Sequence, residues 1–159
     1  NLEQISKEVF RIPELEILDA SHNLLSNLPN SICFAVNLVE LDLSFNRLQL
    51  LPAEFGNLAL LRLLNLNHNA LKEFPTSFKR CISLKQLFLN NNRLCLLPPE
   101  IRRFKDLEEL QIRHNQMFSI PPDIRYLQNL KILACDGNPF LTAPSSLKDM
   151  SSLKEVCVN

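Results

Sequence analysis

Glycine and tryptophan are what this chain lacks most: 159 residues contain 2 Gly, no Trp and a single Tyr. So few glycines leave no room for a Gly-rich loop whose backbone cradles a phosphate. Net charge is missing too, because 17 Lys+Arg offset 17 Asp+Glu. That removes bulk attraction to nucleic acid or an anionic membrane and leaves only local patches. No apolar run approaches the roughly 20 residues of a membrane-spanning helix, and no basic-then-apolar secretion signal is present. An initiator Met is absent as well; a chain that starts at Asn1 is expected to be cut from something longer. What is present is lopsided. Hydrophobic residues make up 46%, with 33 Leu and 17 Asn, ample material for a packed core and too apolar for disorder.

The leucines repeat. Leu recurs at 15, 38, 61, 84, 107, 130 and 153, each 23 residues after the last. From Leu15 one unit reads LxxLxLxxNxLxxLPxxIxxLxx, without insertion or deletion. Position 9 is Asn23, Asn46, Asn69, Asn92, Asn115 and Asn138; position 15 is Pro29, Pro52, Pro75, Pro98, Pro121 and Pro144. One repeat domain, 1–159, is expected: a partial unit over 1–14, six full units over 15–152, and the start of a seventh over 153–159. In the partial unit Leu2, Ile5, Val9 and Ile12 fall where the next unit has Leu25, Leu28, Ile32 and Ala35. In unit six Cys135, Gly137, Pro139 and Ala143 break the pattern.

Positions 4 and 6 alternate with outward neighbours, as in Leu41-Asp42-Leu43, which is the period of a short half-buried strand. The second half spaces apolar residues three and four apart (Leu51, Phe55, Leu58), the period of a helical turn. No unit can bury its own apolar face, so successive units must stack, with their strands parallel and about 4.8 Å apart. The Asn column then has a structural explanation: a short amide satisfies backbone groups buried where the chain turns inward. Pro fixes φ where the return begins, and the doubled Pro98-Pro99 and Pro121-Pro122 are expected to make extended returns.

The residues carrying this pattern, such as LVELDLSFNRLQLLPAEFGNLAL at 38–60, resemble the leucine-rich repeat family over the whole chain. The LPxxIxxL half resembles the 23-residue intracellular subclass found in Ras-pathway and polarity scaffolds. The resemblance implies an α/β solenoid, a curved right-handed superhelix with a parallel β-sheet on its concave face and short helical or extended returns on its convex face. GNPF at 137–140 resembles the closing unit of such arrays, so the array is expected to end soon after residue 159. Val156 and Val158 would leave an apolar edge that calls for a capping segment.

Extracellular relatives usually carry paired Cys at the array ends. Here Cys33, Cys81, Cys95, Cys135 and Cys157 show no such pairing and no metal-knuckle spacing, and none of the 17 Asn begins an Asn-x-Ser/Thr acceptor. A reducing, cytoplasmic setting is expected. His22, His68 and His114 share position 8, but two strands, roughly 10 Å, separate each from the next. No two can share a zinc, whose ligands lie at about 2 Å. No nucleophile–base pair can be justified. The chain is therefore expected to be no enzyme, with no cofactor, metal or small-molecule substrate.

What remains is the outward face of the sheet, positions 3, 5, 7 and 8. The candidate partner-binding residues are Asp42, Phe45, Asn65, His68, Phe88, Asn90, Gln111 and Arg113, with Phe88 as an aromatic anchor at an exposed strand position. The function expected is a non-catalytic protein-interaction module of an intracellular signalling scaffold. The resemblance implies a partner such as a small GTPase, phosphatase or kinase. A second reading is the substrate-targeting part of a larger kinase, phosphatase, nuclease or ubiquitin ligase. A third, nucleic acid on the basic strip Lys79, Arg80, Arg102, Arg103, Lys105 and Arg125, lacks the interleaved aromatics that stack on bases.

Overall fold

The computed structural model describes residues 1–141 and 145–158. Each coil contributes one three-residue strand at positions 3 to 5: β1 Ile17–Asp19, β2 Glu40–Asp42, β3 Leu63–Asn65, β4 Gln86–Phe88, β5 Glu109–Gln111, β6 Ile132–Ala134 and β7 Glu155–Cys157. They form one open sheet in sequence order. All six pairings are parallel, and every register partner lies 23 residues away, Leu41 opposite Leu64 and Leu64 opposite Leu87. Hydrogen bonding between coils continues past the strands: Leu66 N–H donates to Phe88 O at 2.8 Å and His68 N–H to Asn90 O at 2.8 Å. The architecture is the expected solenoid, with a sheet on one side and short helical returns on the other.

Alternation sends positions 4 and 6 inward, where they meet positions 1, 11, 18 and 21. Leu41, Leu64, Leu87 and Leu110, with Leu43, Leu66, Leu89 and Ile112 two residues on, are fully buried. Phe rings fill the wider space on the return side: Phe74 stacks on Phe78 at 4.5 Å, and Phe78 meets Phe104 edge-on at 5.4 Å. Cys81 and Cys135 are buried in core columns as expected; Cys33 is buried too. Burial pushes the Cys81 and Cys135 thiols up to about 12, so both stay protonated at neutral pH.

The Asn column ties each coil to the one before it. Asn92 Oδ1 accepts from Leu71 N–H at 3.0 Å, while its Nδ2 donates to Leu66 O at 2.9 Å and Leu89 O at 3.1 Å. The same set recurs one coil earlier and one later, at Asn69 (Leu48 N–H 2.9 Å, Leu43 O 3.0 Å) and Asn115 (Leu94 N–H 3.0 Å, Leu89 O 2.9 Å). Even Asn23 takes the N–H of Leu2, at 2.7 Å. Asn46, Asn92, Asn115 and Asn138 are buried, and Asn23 and Asn69 are partly buried.

The returns are 3-10 helices: η1 Val9–Arg11, η2 Asn30–Phe34, η3 Phe55–Asn57, η4 Thr76–Arg80, η5 Pro99–Arg103, η6 Pro122–Tyr126 and η7 Ser145–Asp149. Pro29, Pro75, Pro98 and Pro121 stand before their helices at φ between −62° and −67°. Each Pro carbonyl takes the first helical bond, Ile101 N–H to Pro98 O at 3.0 Å for example. The doubled prolines are therefore not extended returns: Pro99 and Pro122 open five-residue helices, because a first-turn residue needs no N–H and its φ is already helical. Pro144 and Ala143 lie outside the described residues. Gly56 is required by contact, since a Cβ there would come 1.8 Å from Ser77 O in the next coil.

The partial unit departs from the columns. Leu2 and Ile12 are exposed at this end of the array, while Phe10 is buried. At the other end Val156 and Val158 are exposed, as expected.

Two stability outcomes follow from this packing. Leu87→Ala and Leu89→Ala should each cost about 2–5 kcal/mol in urea unfolding, by removing methyls from a site that cannot collapse. Asn92→Asp should cost about 2–4 kcal/mol at pH 7, since a carboxylate cannot donate to the three carbonyls its amide serves. Those carbonyls raise the new carboxyl's folded pKa, so the penalty is full above that pKa and fades as pH falls through it. A penalty independent of pH would contradict the ladder.

Candidate partner-binding face

The side chains that strands β1–β7 turn outward are held to one another before any partner arrives. Asp42 Oδ1 accepts from Ser44 N–H at 2.8 Å and its Oδ2 from Asn65 Nδ2 at 2.8 Å. Asn67 Oδ1 accepts from Asn90 N–H at 2.7 Å, and Asn90 Oδ1 from Arg113 N–H at 2.8 Å. Asn90 Nδ2 donates to Gln111 Oε1 at 2.7 Å, and Gln111 donates in turn to Glu109. Arg113 Nε lies 2.8 Å from Asp136 Oδ1 as an ion pair, and its Nη2 lies 3.2 Å from Cys157 Sγ. Asn65, Asn90 and Gln111 thus spend most of their hydrogen-bonding capacity inside the face. Phe88 stands in register between Asn65 and Gln111 and is half-buried, less open than an exposed strand position suggests.

Position 8 holds a feature that the sequence reading missed. His22, Phe45, His68, Asn91 and His114 all have φ between 51° and 56°, and Gly137 has φ 71°. Six left-handed residues, one per coil, turn the chain from the strand into the core. Non-Gly residues rarely sit there, and the cost is about 1–2 kcal/mol each. Asn91 and Gly137 in the column were the available signal, being the residue types that tolerate this geometry. The conformation aligns the side chains: His22 stacks on Phe45 at 4.3 Å and Phe45 on His68 at 4.1 Å, while Asn91 Nδ2 reaches His68 Nε2 at 3.3 Å. His114 lies over the Gly137 α-carbon, where a Cβ would be 2.3 Å from its Nδ1. Phe45 and His68 are therefore brought together, beside the strand network rather than within it.

The chemistry this arrangement offers is recognition. Asp19 and Asp42 are register neighbours. Hydrogen bonds from Ser21, its hydroxyl and then its N–H, hold the Asp19 carboxyl below its ordinary value, so it stays anionic. Among the described residues no three His, Cys, Asp or Glu side chains converge in a way that could hold a metal ion. On the return side the basic strip is partly spoken for. Arg80 pairs with Glu54 at 2.6 Å, Arg102 with Asp123 at 3.4 Å, and Lys105 and Arg125 lie 5.5 and 5.0 Å from the centre of the Tyr126 ring.

Comparison with known proteins agrees with the fold. Leucine-rich repeat models match residues 36–94 and 14–35. The chain is 33% identical to a leucine-rich repeat protein of Leptospira interrogans, at TM-score 0.92, over 99% of this chain and 42% of that one. It is 28% identical to the leucine-rich repeat ectodomain of the Arabidopsis thaliana membrane receptor kinase GASSHO1/SCHENGEN3, solved in complex with CASPARIAN STRIP INTEGRITY FACTOR 2 (TM-score 0.89, 98% of this chain, 20% of that). A plant peptide hormone receptor, RGFR1, solved in complex with RGF2, is 26% identical at TM-score 0.77, over 98% of this chain and 30% of that one. The chain thus spans less than half the length of each of these proteins. No curated protein matches it significantly. The chain belongs to the leucine-rich repeat proteins, whose domains are typically protein-interaction modules. No helix among the described residues is long and apolar enough to cross a membrane.

The left-handed column makes a prediction that isolates backbone from ring. Phe45→Gly and Phe45→Ala both delete the stack, but only Gly relieves the positive φ. Phe45→Gly should be the more stable of the two by about 1 kcal/mol in urea unfolding. Equal stabilities would mean that the backbone at Phe45 is not left-handed.

Proposed function

We propose that the chain is a non-catalytic interaction module that holds a partner protein across the outward face of its sheet. The observation that carries this is the lateral hydrogen-bond network from Asp42 through Asn65 and from Asn67 through Asn90 to Gln111, with Phe88 set between its halves. A surface whose rotamers are fixed in advance loses little entropy on binding. A half-buried aromatic amid polar groups is the make-up of an anchor. Asp42, Phe45, Asn65, His68, Phe88, Asn90, Gln111 and Arg113 form the binding set, the polar members chiefly as its frame. The similar arrays of GASSHO1/SCHENGEN3 and RGFR1, each solved in a complex, support a binding role.

We place the module in the cytoplasm, as part of a signalling scaffold of the LPxxIxxL subclass, with a small GTPase, phosphatase or kinase as the class of partner. The support is five free thiols, no Asn-x-Ser/Thr site and the proline column. The repeat domain runs over 1–159, with six full units at 15–152. A second reading is that the array is the substrate-targeting part of a larger enzyme, as the similar array of GASSHO1/SCHENGEN3 is the ectodomain of a membrane receptor kinase. The ion pairs of Arg80 and Arg102 argue against nucleic acid on the return side.

The test is capture from cell extract. Phe88→Ala should keep the wild-type circular dichroism spectrum and urea midpoint within about 1 kcal/mol, yet lose the specific partner by pull-down. Undiminished capture by a folded Phe88→Ala variant would move the binding surface off the sheet.

A further inference from the structure

The outward face changes character along the array. Over the first two coils it exposes Ile17, 62% accessible on edge strand β1, and Phe45, 44% accessible beside β2. Glu16, Asp19 and Glu40 are exposed around them, and Asp42 is half-exposed. None of these four carboxylates takes part in an ion pair among the described residues; every such pair lies elsewhere. Arg62, in the column that runs from Glu16 through Val39, pairs with none of them. Farther along, the face compensates its own charge: Glu108 is held between Lys85 and Lys131, and Asp136 by Arg113. Glu109 accepts from the amides of Gln86 and Gln111.

Resting on the reading of the sheet face as the binding surface, we propose that its first two coils take an extended basic segment of a partner protein. In that segment a Lys or Arg stands two residues from an apolar side chain, so that both point to the same side of the extended chain. The cation is recognised by the carboxylates of Asp19 and Glu40 on the adjacent strands β1 and β2. The apolar side chain covers Ile17 and the ring edges of the His22–Phe45–His68 stack. The division follows from the stacking: imidazoles at 4.3 and 4.1 Å cover both faces of the Phe45 ring. Only its edge is open, and a ring edge is the positive end of the quadrupole. A cation therefore does not sit on Phe45; an apolar side chain, or an aromatic lying flat on the ring edges, does. An acidic or uncharged segment would leave four carboxylates without a counter-charge, and a purely cationic one would leave Ile17 and Phe45 bare.

The test uses fluorescein-labelled octapeptides titrated by anisotropy at about 0.15 M salt: Arg-Ser-Phe-Ser repeated twice, which sets Arg and Phe on one side of an extended chain, with Glu replacing Arg or Ala replacing Phe as controls. The Arg-Phe peptide should bind, each control should bind at least about fivefold more weakly, and the Arg-Phe affinity should fall as salt rises. Asp19→Asn with Glu40→Gln keeps the acceptor for Ser21 N–H and removes two charges. That variant should lose about fivefold to tenfold in Arg-Phe affinity. Binding untouched by the double substitution but lost in Phe88→Ala would overturn the basic segment while leaving the sheet face standing. Binding indifferent to both would sink the two readings together. Self-association of the wild type that vanishes in the double variant would assign the carboxylates to a second copy, and so also overturn the proposal.

Discussion

One side chain per coil, the position-9 asparagine, sets what the rest of this molecule can do. Its carbonyl takes an N–H from the previous coil and its amide serves carbonyls in both coils, as at Asn92 with Leu71, Leu66 and Leu89. Burial makes these bonds obligatory, since each group left without a partner costs about 1–3 kcal/mol. A residue added or removed between positions 6 and 11 of a coil would break the set at two interfaces at once. The bonds therefore fix the register of that stretch, and the strand columns beside it share its order: leucines meet leucines, and outward residues meet the outward residues of the next coil. The hydrophobic columns supply the driving force, but apolar contact is non-directional and would tolerate a slip. The amides supply the direction.

Reading the sequence recovers those parts that are statements about columns. The strand positions, the buried leucines, the roles of Asn and of Cys81 and Cys135, and the separation of the three His all follow from residues sharing a slot. What escapes it is what depends on backbone detail within a slot. Pro98-Pro99 and Pro121-Pro122 suggest extended chain because proline disfavours helix in general, yet at a helix's first turn it costs nothing, and both pairs open 3-10 helices. The left-handed turn at position 8 is hidden because His and Phe fill most of the column, and only Asn91 and Gly137 are residue types that favour positive φ. The partial unit misleads for another reason. A slot is buried only if a neighbouring coil covers it, so Ile12 shares a column with Ala35 and remains exposed.

The candidate face shows the same boundary. Position identifies which residues point outward, but not how their rotamers pair. Asn65, Asn90 and Gln111 look in sequence like groups waiting for a ligand; in the structure they bond to Asp42, Arg113 and one another. What these bonds do is fix the rotamers on either side of Phe88. Phe45 and His68 share an outward position in the sequence, and the reason their rings lie together is the handedness of the turn there.

That turn also explains why the face can be rigid at its margin. A left-handed His or Phe would relax if the chain on either side were free. Here position 8 donates its N–H to the next coil, Phe45 to Asn67 O at 2.9 Å and His68 to Asn90 O at 2.8 Å, and the asparagine immediately after it is locked in the core. The strained residue is pinned from both sides, so the strain persists instead of opening the loop. Summed over the five non-glycine residues of the column it costs about 5–10 kcal/mol in gross terms, comparable with the net stability of a whole domain. Only an array whose buried columns far outweigh that sum can carry it. The apolar core and the outward face are thus coupled through the backbone: the leucines hold the coils together, the asparagines fix their register, and the pinned turn aligns the rings.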